Sequence, residues 1–396
     1  MQTPPIDARA LAQAGVEALR GGDARKAREL FERIAAAGEA DVSTCLALSI
    51  TCRNLDDQTA ALDAVDQALA LEPRNLRALV MKADHLADMG DPRAASNFYL
   101  AAVNVAPPAE RMPADLRDEL RRAQAMCERY AADFDAFLRD RLRKHGLVDG
   151  SSIRRFSDSL DILTGRKKIF FQEPRQFFFP ELPQIQFYDR KDFPWLDKIE
   201  AATADIRAEL MEIMKEDSAF KPYVEGSPRQ PQTGDRAMLN NPDWSAFYLW
   251  KHGEILPENT KRCPRTVSAL ADVPFAWVPK RSPSAMFSLL RPGARIAPHT
   301  GETNTRLICH LPLIVPPGCT FRVGNETRDW VEGKAWVFDD TIEHEAWNRS
   351  NRTRVILLFE IWRPELSEEE RRLVSAMFEA IDDYGRTQAT DSSERD

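Results

Sequence analysis

Apolar and polar positions follow two different periods along this chain, and the change falls near its middle. From about residue 8 to 108, Ala and Leu recur every three to four residues, the spacing of helices that bury one face. The pattern also repeats on a longer scale. Asp23, Asp57 and Asp91 stand 34 residues apart, as do Ala27, Ala61 and Ala95, and Phe31, Val65 and Tyr99; Pro73 and Pro107 close the second and third copies. Small residues at such positions let two helices approach, the aromatic or branched residue fills the gap, and proline ends the second helix, so helical hairpins are predicted. The helical pattern continues through Leu116 to Leu142 as a cap on the stack, and Ile199 to Met214 reads as one amphipathic helix. After Pro364, Ser367-Glu-Glu-Glu370 reads as a capping box that opens a helix docked through Leu373, Met377 and Ile381.

Period two takes over in the second half. The aromatic run Trp244 to Gly253 reads as a strand, and from Ala285 onward short β-rich segments alternate with turns: Ala285 to Leu290, Arg306 to Val315, Thr320 to Val323, Ala335 to Phe338, His344 to Trp347 and Arg354 to Trp362. Gly293, Pro316-Pro-Gly318, Gly324-Asn325 and Gly333 punctuate them, and Gly324-Asn325 suits a tight hairpin. Many short strands of this kind argue for a jelly-roll-like double sheet or barrel. Alternation puts Leu307, Cys309, Leu311 and Leu313 on one face of their strand and Arg306, Ile308 and His310 on the other; Arg354, Ile356 and Leu358 share a face of the last strand. Between the two halves, the Phe- and Pro-dense stretch from Phe170 to Tyr188 is expected to wrap over a neighbouring surface, and Gly226 to Pro242 to form a loop. The basic runs Arg139 to Lys144 and Arg166 to Lys168 read as solvated helix ends in a connecting segment.

Composition narrows the function. A chain of 396 residues has room for two or three cores, and a formal charge of -8 leaves no overall basic face for nucleic acid. The opening residues lack a signal-peptide pattern and no stretch approaches a spanning helix, so a cytoplasmic protein is expected. The six cysteines show no CxxC spacing and read as reduced, buried thiols. His85, His145 and His252 stand apart and are taken as structural.

The candidate chemistry lies between Ser288 and Arg354, which holds His299, His310 and His344 with Arg306 and Arg354. Imidazoles and guanidiniums spread over short strands suit a metal and an acidic small molecule held inside a barrel, since guanidiniums buried there need an anion.

Two resemblances sharpen this. The first third resembles tetratricopeptide repeats, whose period is 34 residues, which implies stacked hairpins with a concave face for a peptide or protein partner. Ser288, His299-Thr-Gly-Glu-Thr-Asn-Thr-Arg306, His310, Gly333-Lys334, Phe338-Asp-Asp340, Glu343-His344-Glu345, Trp347, Arg354 and Trp362-Arg-Pro364-Glu-Leu366 resemble the aspartyl/asparaginyl β-hydroxylases, with weaker likeness back to Pro180 through Tyr188-Asp189 and Phe193-Pro-Trp195. That resemblance implies a double-stranded β-helix oxygenase using Fe(II), 2-oxoglutarate and O2, and releasing succinate and CO2. By position it implies His299 and His344 as iron ligands, and Ser288 and Arg354 around the distal carboxylate of 2-oxoglutarate. It places His310 near the chelating end of the cosubstrate and Arg306 on the substrate side.

Gly301 stands where most related oxygenases carry a third, carboxylate ligand, an absence the family shares. Glu302, Asp340 and Glu345 are ligands by type only, and Asp339 and Asp340 are expected to orient His344. One position departs: the best-known members carry a second arginine where this chain has Ile308, which leaves the substrate open between peptidyl aspartate, other acidic or amide-bearing groups, and a lipid.

The expected layout is multidomain α and β. It comprises a repeat domain over 1–130, a connecting segment over 131–179, a double-stranded β-helix (jelly-roll, cupin-like) oxygenase over 180–366, and a C-terminal helix with a disordered tail over 367–396. The rival readings are a repeat scaffold with an inactive barrel, and a metal-dependent cupin isomerase or hydrolase.

Overall fold

The computed structural model describes residues 6–107, 112–147, 154–216, 218–224 and 239–393, with side chains through Tyr384. Most of the predicted loop from Gly226 to Pro242, and the polar stretch Asp149 to Ser152, lie outside the described residues. The chain divides into two units, Met1–Lys167 and Lys168–Asp396.

The first unit is helical. It comprises α1 (Ala8–Arg20), α2 (Ala24–Ala36), α3 (Val42–Asn54), α4 (Gln58–Leu71), α5 (Leu76–Asp88), α6 (Pro92–Val105), α7 (Ala114–Arg143) and α8 (Arg154–Leu163). The 34-residue markers take one job each. Asp23, Asp57 and Asp91 are the N-caps of α2, α4 and α6, their carboxylates accepting the backbone N–H of Lys26, Ala60 and Ala94. Ala27, Ala61 and Ala95 are 0% exposed where the hairpin helices meet, and Phe31, Val65 and Tyr99 are buried one turn on. Gly15 serves the same approach from α1, since a Cβ there would run into the Phe31 ring.

The connecting segment expected over 131–179 is not a separate element. Helix α7 runs on to Arg143, and α8 is tied to it by buried Asp135, which accepts from Arg139 (2.9 Å) and Arg166 (2.8 Å), while Arg139 also donates to Asp161 (2.6 Å). Of the basic residues read as solvated helix ends, Arg139, Arg166 and Lys167 are thus partners of aspartates within the unit, Lys167 through Asp158, while Arg141, Arg143 and Lys144 are exposed as expected. Residues through Lys167 belong to the helical unit.

The second unit is built on antiparallel strands: β1 (Lys221–Pro222), β2 (Trp244–Lys251), β3 (Glu254–Ile255), β4 (Ala285–Leu290), β5 (Arg295–His299), β6 (Arg306–Ile314), β7 (Cys319–Val323), β8 (Glu326–Asp329), β9 (Trp336–Phe338), β10 (His344–Asn348) and β11 (Arg354–Trp362). The larger sheet has the order β1-β2-β4-β11-β6-β9, with β3 beside β2, and the smaller has the order β5-β10-β7-β8. The predicted faces hold. Leu307, Cys309, Leu311 and Leu313 join Leu357, Phe359 and Ile361 in a core covered by helices α9 (Leu196–Ala201), α10 (Thr203–Ile213) and α12 (Pro264–Ala269), which follows the short α11 (Pro257–Thr260). The opposite face meets the smaller sheet, where Ile308, Ile356 and Trp244 pack with Phe321, Val323 and Ala346.

Strands β5 and β8 have no counterpart in the sequence reading. Arg295–His299 carries Pro298 and only one fully apolar, buried position, and Glu326–Asp329 is polar throughout, so neither shows a period-two apolar signal; both are edge strands. The hairpin at Gly324-Asn325 is present, joining β7 to β8 with Gly324 at φ 55°.

The Phe- and Pro-dense stretch does wrap. Its backbone bonds to Thr341, Gly301 and Glu302, and Phe187 bridges to Phe338. Two helical expectations shift. The helix expected over Ile199 to Met214 is two, divided at Ala202, with the Thr203 hydroxyl donating to the Glu200 carbonyl (2.6 Å). The capping box of Ser367 and Glu370 forms, and the last helix, α13 (Glu368–Ser393), docks through the expected Met377 together with Val374 and Phe378, while Leu373 and Ile381 stay exposed. The buried face is thus centred nearer Val374 and Phe378, where Arg281 lies across Phe378 and pairs with Asp382. The helix also continues past Gly385 to Ser393, where a disordered tail was expected, in a segment with good helix formers such as Arg386, Gln388 and Ala389.

Candidate active site

His299 ends β5 and His344 opens β10, and the register sets them directly opposite each other with ring centroids 4.1 Å apart. Each Nδ1 meets a carbonyl oxygen two residues back, Ala297 at 2.8 Å and Ile342 at 3.1 Å. A carbonyl only accepts, so Nδ1 carries the proton of the neutral ring and Nε2 keeps its lone pair. Burial lowers the pKa of His299, and lowers that of His344 well below the ordinary range with the neighbouring His299 adding to it. Two neutral imidazoles with free Nε2 atoms fit a divalent transition metal.

The carboxylates around them do not join in. Among the described residues no group of three His, Cys, Asp or Glu could hold a metal together. Glu345 points to the other face of β10, where it pairs with Arg295 and Arg322, and Glu302 is partly exposed beside Arg175. Asp339 was expected to orient His344; instead its carboxylate accepts from Arg363 (2.9 Å), Gln172 (2.7 Å) and Thr341, and backbone carbonyls orient the imidazole. Asp340 lies against Gly301: the Gly301 N–H donates to the Asp340 carbonyl (2.7 Å), and a Cβ at 301 would collide with the Asp340 carboxylate. The glycine is required by that carboxylate, which fills the space a longer side chain would need.

Ser288, Arg354 and His310 lie together in the space between the sheets. Arg354 is 1% exposed, yet among the described residues no carboxylate faces it. Nη1 donates to the Ser288 carbonyl at 3.3 Å, Nε has no partner, and the guanidinium lies over the Trp330 ring at 4.7 Å. Burial pulls its pKa down to about 10. A guanidinium held this way needs an anion from outside the chain. Ser288 is buried beside it, its hydroxyl accepting from Trp244 Nε1 (3.3 Å). His310 sits among Phe321, Phe338 and Trp330 with Nδ1 unpartnered, and burial holds its pKa well below the ordinary value.

Arg306 shares the face of His310 but not the condition of Arg354. Its Nη1 contacts Glu360 at 2.5 Å and its Nη2 stands 3.9 Å from Asp340. Burial opposes its charge, but Glu360 and Asp340 outweigh burial and raise its pKa. All six residues singled out in the sequence therefore lie in one unit, on the two facing sheets. Glu360, Trp244 and Trp330 were missed. Their side chains matter through contacts with residues 24 to 54 positions away, and no spacing signals such contacts.

Residues 200–364 match the model of the family described as aspartyl/asparaginyl beta-hydroxylase. The human aspartyl/asparaginyl beta-hydroxylase is 38% identical over 144 residues, 36% of this chain and 19% of that protein. The ornithine lipid ester-linked acyl 2-hydroxylase of Rhizobium tropici is 36% identical over 180 residues, 45% of this chain and 60% of that one. The matches thus span less than two thirds of either relative. Among solved structures, the Yersinia enterocolitica type III secretion chaperone SycD, in complex with a peptide of the translocator YopD, covers 32% of this chain and 92% of its own, at 14% identity and a TM-score of 0.29. The repeat reading rests on the 34-residue period and not on that likeness. Residues 200–364, which carry the paired histidines and both inter-sheet arginines, are thus the part of the chain that is similar to the aspartyl/asparaginyl β-hydroxylase family.

Proposed function

We propose that this chain is an Fe(II)- and 2-oxoglutarate-dependent dioxygenase on a double-stranded β-helix scaffold, hydroxylating the β-carbon of an aspartyl/asparaginyl-type substrate. The observation that carries the reading is Arg354, a buried guanidinium with no anion partner among the described residues, in the same inter-sheet space as two neutral histidines whose Nε2 atoms keep their lone pairs. His299 and His344 would hold the metal. Arg354, with the Ser288 hydroxyl, would take the distal carboxylate of 2-oxoglutarate, and His310 would stand near its other end. Bound there, iron with 2-oxoglutarate supplies dioxygen activation, with succinate and CO2 as coproducts. The chain's own work is to hold the dicarboxylate, fix the imidazole tautomers through Ala297 and Ile342, and exclude water with Phe321, Phe338 and Trp330.

Six free cysteines, five of them buried, fit a cytoplasmic setting, and the repeat hairpins suit a protein partner. No helix among the described residues is long and apolar enough to cross a membrane.

The test is succinate formation. Wild type with Fe(II), 2-oxoglutarate and oxygen should release succinate, and His344→Ala should lose it by about a thousandfold with loss of Fe(II) binding. Unchanged turnover in the variant would sink the assignment. No iron-dependent succinate from wild type would favour a binding scaffold, and turnover without oxygen uptake a cupin isomerase or hydrolase. The Rhizobium relative's acyl substrate gives a second reading, favoured by buried, apolar Ile308 beside Arg306; acyl lipids belong in the same assay.

A further inference from the structure

The two inter-sheet arginines differ in a way that bears on the substrate. Arg354 has no carboxylate partner among the described residues, whereas Arg306 already has one. Glu360 stands on β11 directly across from Ile308, and its carboxylate is held at both ends: one oxygen meets Arg306 Nη1 at 2.5 Å and the other accepts the Ser284 N–H at 2.8 Å. Glu360 is therefore not free to swing away and release the guanidinium. Asp340 stands on the other side of Arg306 at 3.9 Å, and Glu302 adds a third negative charge to the surroundings. One cation among three carboxylates leaves no net positive charge for an incoming carboxylate.

What the pair does offer is a donor and an acceptor. Among the described residues, Arg306 Nε and Asp340 Oδ1 are both buried and without a hydrogen-bond partner. They belong to adjoining side chains, beside Gly301 and hence two residues from His299, and a cleft lined by Glu302, Thr305, Arg306, Trp362 and Phe378 adjoins them. A carboxamide matches this arrangement: its oxygen accepts from Arg306 Nε and its N–H donates to Asp340 Oδ1. A carboxylate satisfies the first and is repelled by the second.

Resting on the hydroxylase reading, we propose that Glu360 is a specificity-determining residue: by neutralising Arg306 it makes the substrate side of the site select an uncharged primary amide over a carboxylate. Glu360 acts through Arg306 and is a positioning residue, while Arg306 and Asp340 touch the substrate.

The experiment compares two probes of equal size, N-acetyl-asparaginamide and the corresponding N-acetyl-aspartate amide. Each is titrated into the full-length protein loaded anaerobically with Fe(II) and 2-oxoglutarate, with tryptophan fluorescence as the binding readout. Wild type should bind the amide at least tenfold more tightly. Glu360→Gln, which frees the Arg306 charge, and Asp340→Asn, which replaces the acceptor with a donor, should each move the preference to the carboxylate, and Glu360→Asp should keep the wild-type order. Thermal melting identifies any variant that fails to fold, and the other then carries the comparison; if both fail, the wild-type preference decides alone. Equal binding, no detectable binding of either probe, a carboxylate preference in wild type, or an unmoved preference in folded variants overturns the proposal. Succinate formation is measured in parallel without any probe. Its absence condemns the hydroxylase reading, whereas its presence with the wrong head-group order condemns only the role of Glu360.

Discussion

Arg354 and Arg306 are the same residue type on one sheet surface, at opposite ends of the paired strands β11 and β6, and their surroundings give them opposite energetics. The first is desolvated without compensation, which costs folding free energy; the second is compensated within the chain. Replacing Arg354 by Met keeps the bulk and removes the unpaired charge, so Arg354→Met should stabilise the ligand-free protein by about 1–3 kcal/mol. The same change should weaken 2-oxoglutarate binding more than about 100-fold, since a buried charge pair contributes roughly 3 kcal/mol. Melting without ligand and a 2-oxoglutarate titration check both signs, and a destabilised variant that still binds would show that the guanidinium's role is structural. Gly301 makes a related point at the same scale: its backbone could accept a side chain, and only the Asp340 carboxylate forbids one. The sequence displays the glycine but not what fills the space beside it.

At the scale of elements, caps and small residues were readable because they act locally. An aspartate every 34 residues is an N-cap whatever surrounds it, since it satisfies N–H groups of its own helix. His85 on α5 was read as structural and is so, buried with Nε2 2.9 Å from the Ser49 hydroxyl on α3. Burial lowers its pKa, with Arg53 adding to the effect. Below the ordinary imidazole value of about 6.5, the unfolded chain takes up a proton that the folded one refuses. The stability His85 supports is thus full above about 6.5 and lost as pH falls toward its folded value, at no more than about 1.4 kcal/mol per pH unit. Amide exchange in α3 and α5, corrected for intrinsic rates, should show this slope between pH 7 and 5.5 and lose it in His85→Gln. The same slope in both proteins would assign it to other groups. Helix α13 shows the limit of local reading: its docked face takes in Val374, Met377 and Phe378 but not Leu373 or Ile381, and on that face Arg281 lies across Phe378 and pairs with Asp382.

For the whole molecule, the site draws on strands far apart in sequence: β4 for Ser288, β5 and β10 for the histidines, β6 for His310 and Arg306, β11 for Arg354. Ligand bound between two sheets stabilises them by mass action. Added Mn(II) and 2-oxoglutarate under anaerobic conditions should therefore raise amide protection in β4, β5, β6, β10 and β11 together. Protection confined to one sheet would mean that the ligand does not bridge them.

Periodicity alone determined that the first part of the chain is helical hairpins and the second short strands, which face of β6 and of β11 is apolar, and that arginine and histidine share the other. Each follows from where a side chain must point once its own backbone is helical or extended. Only the tertiary structure decided that residues through Lys167 belong to the helical unit, that Arg354 has no carboxylate partner among the described residues, and that Arg306 has Glu360. Charge compensation depends on distances of a few ångströms between strands brought together by folding, and a sequence carries direction along the chain but not distance across it.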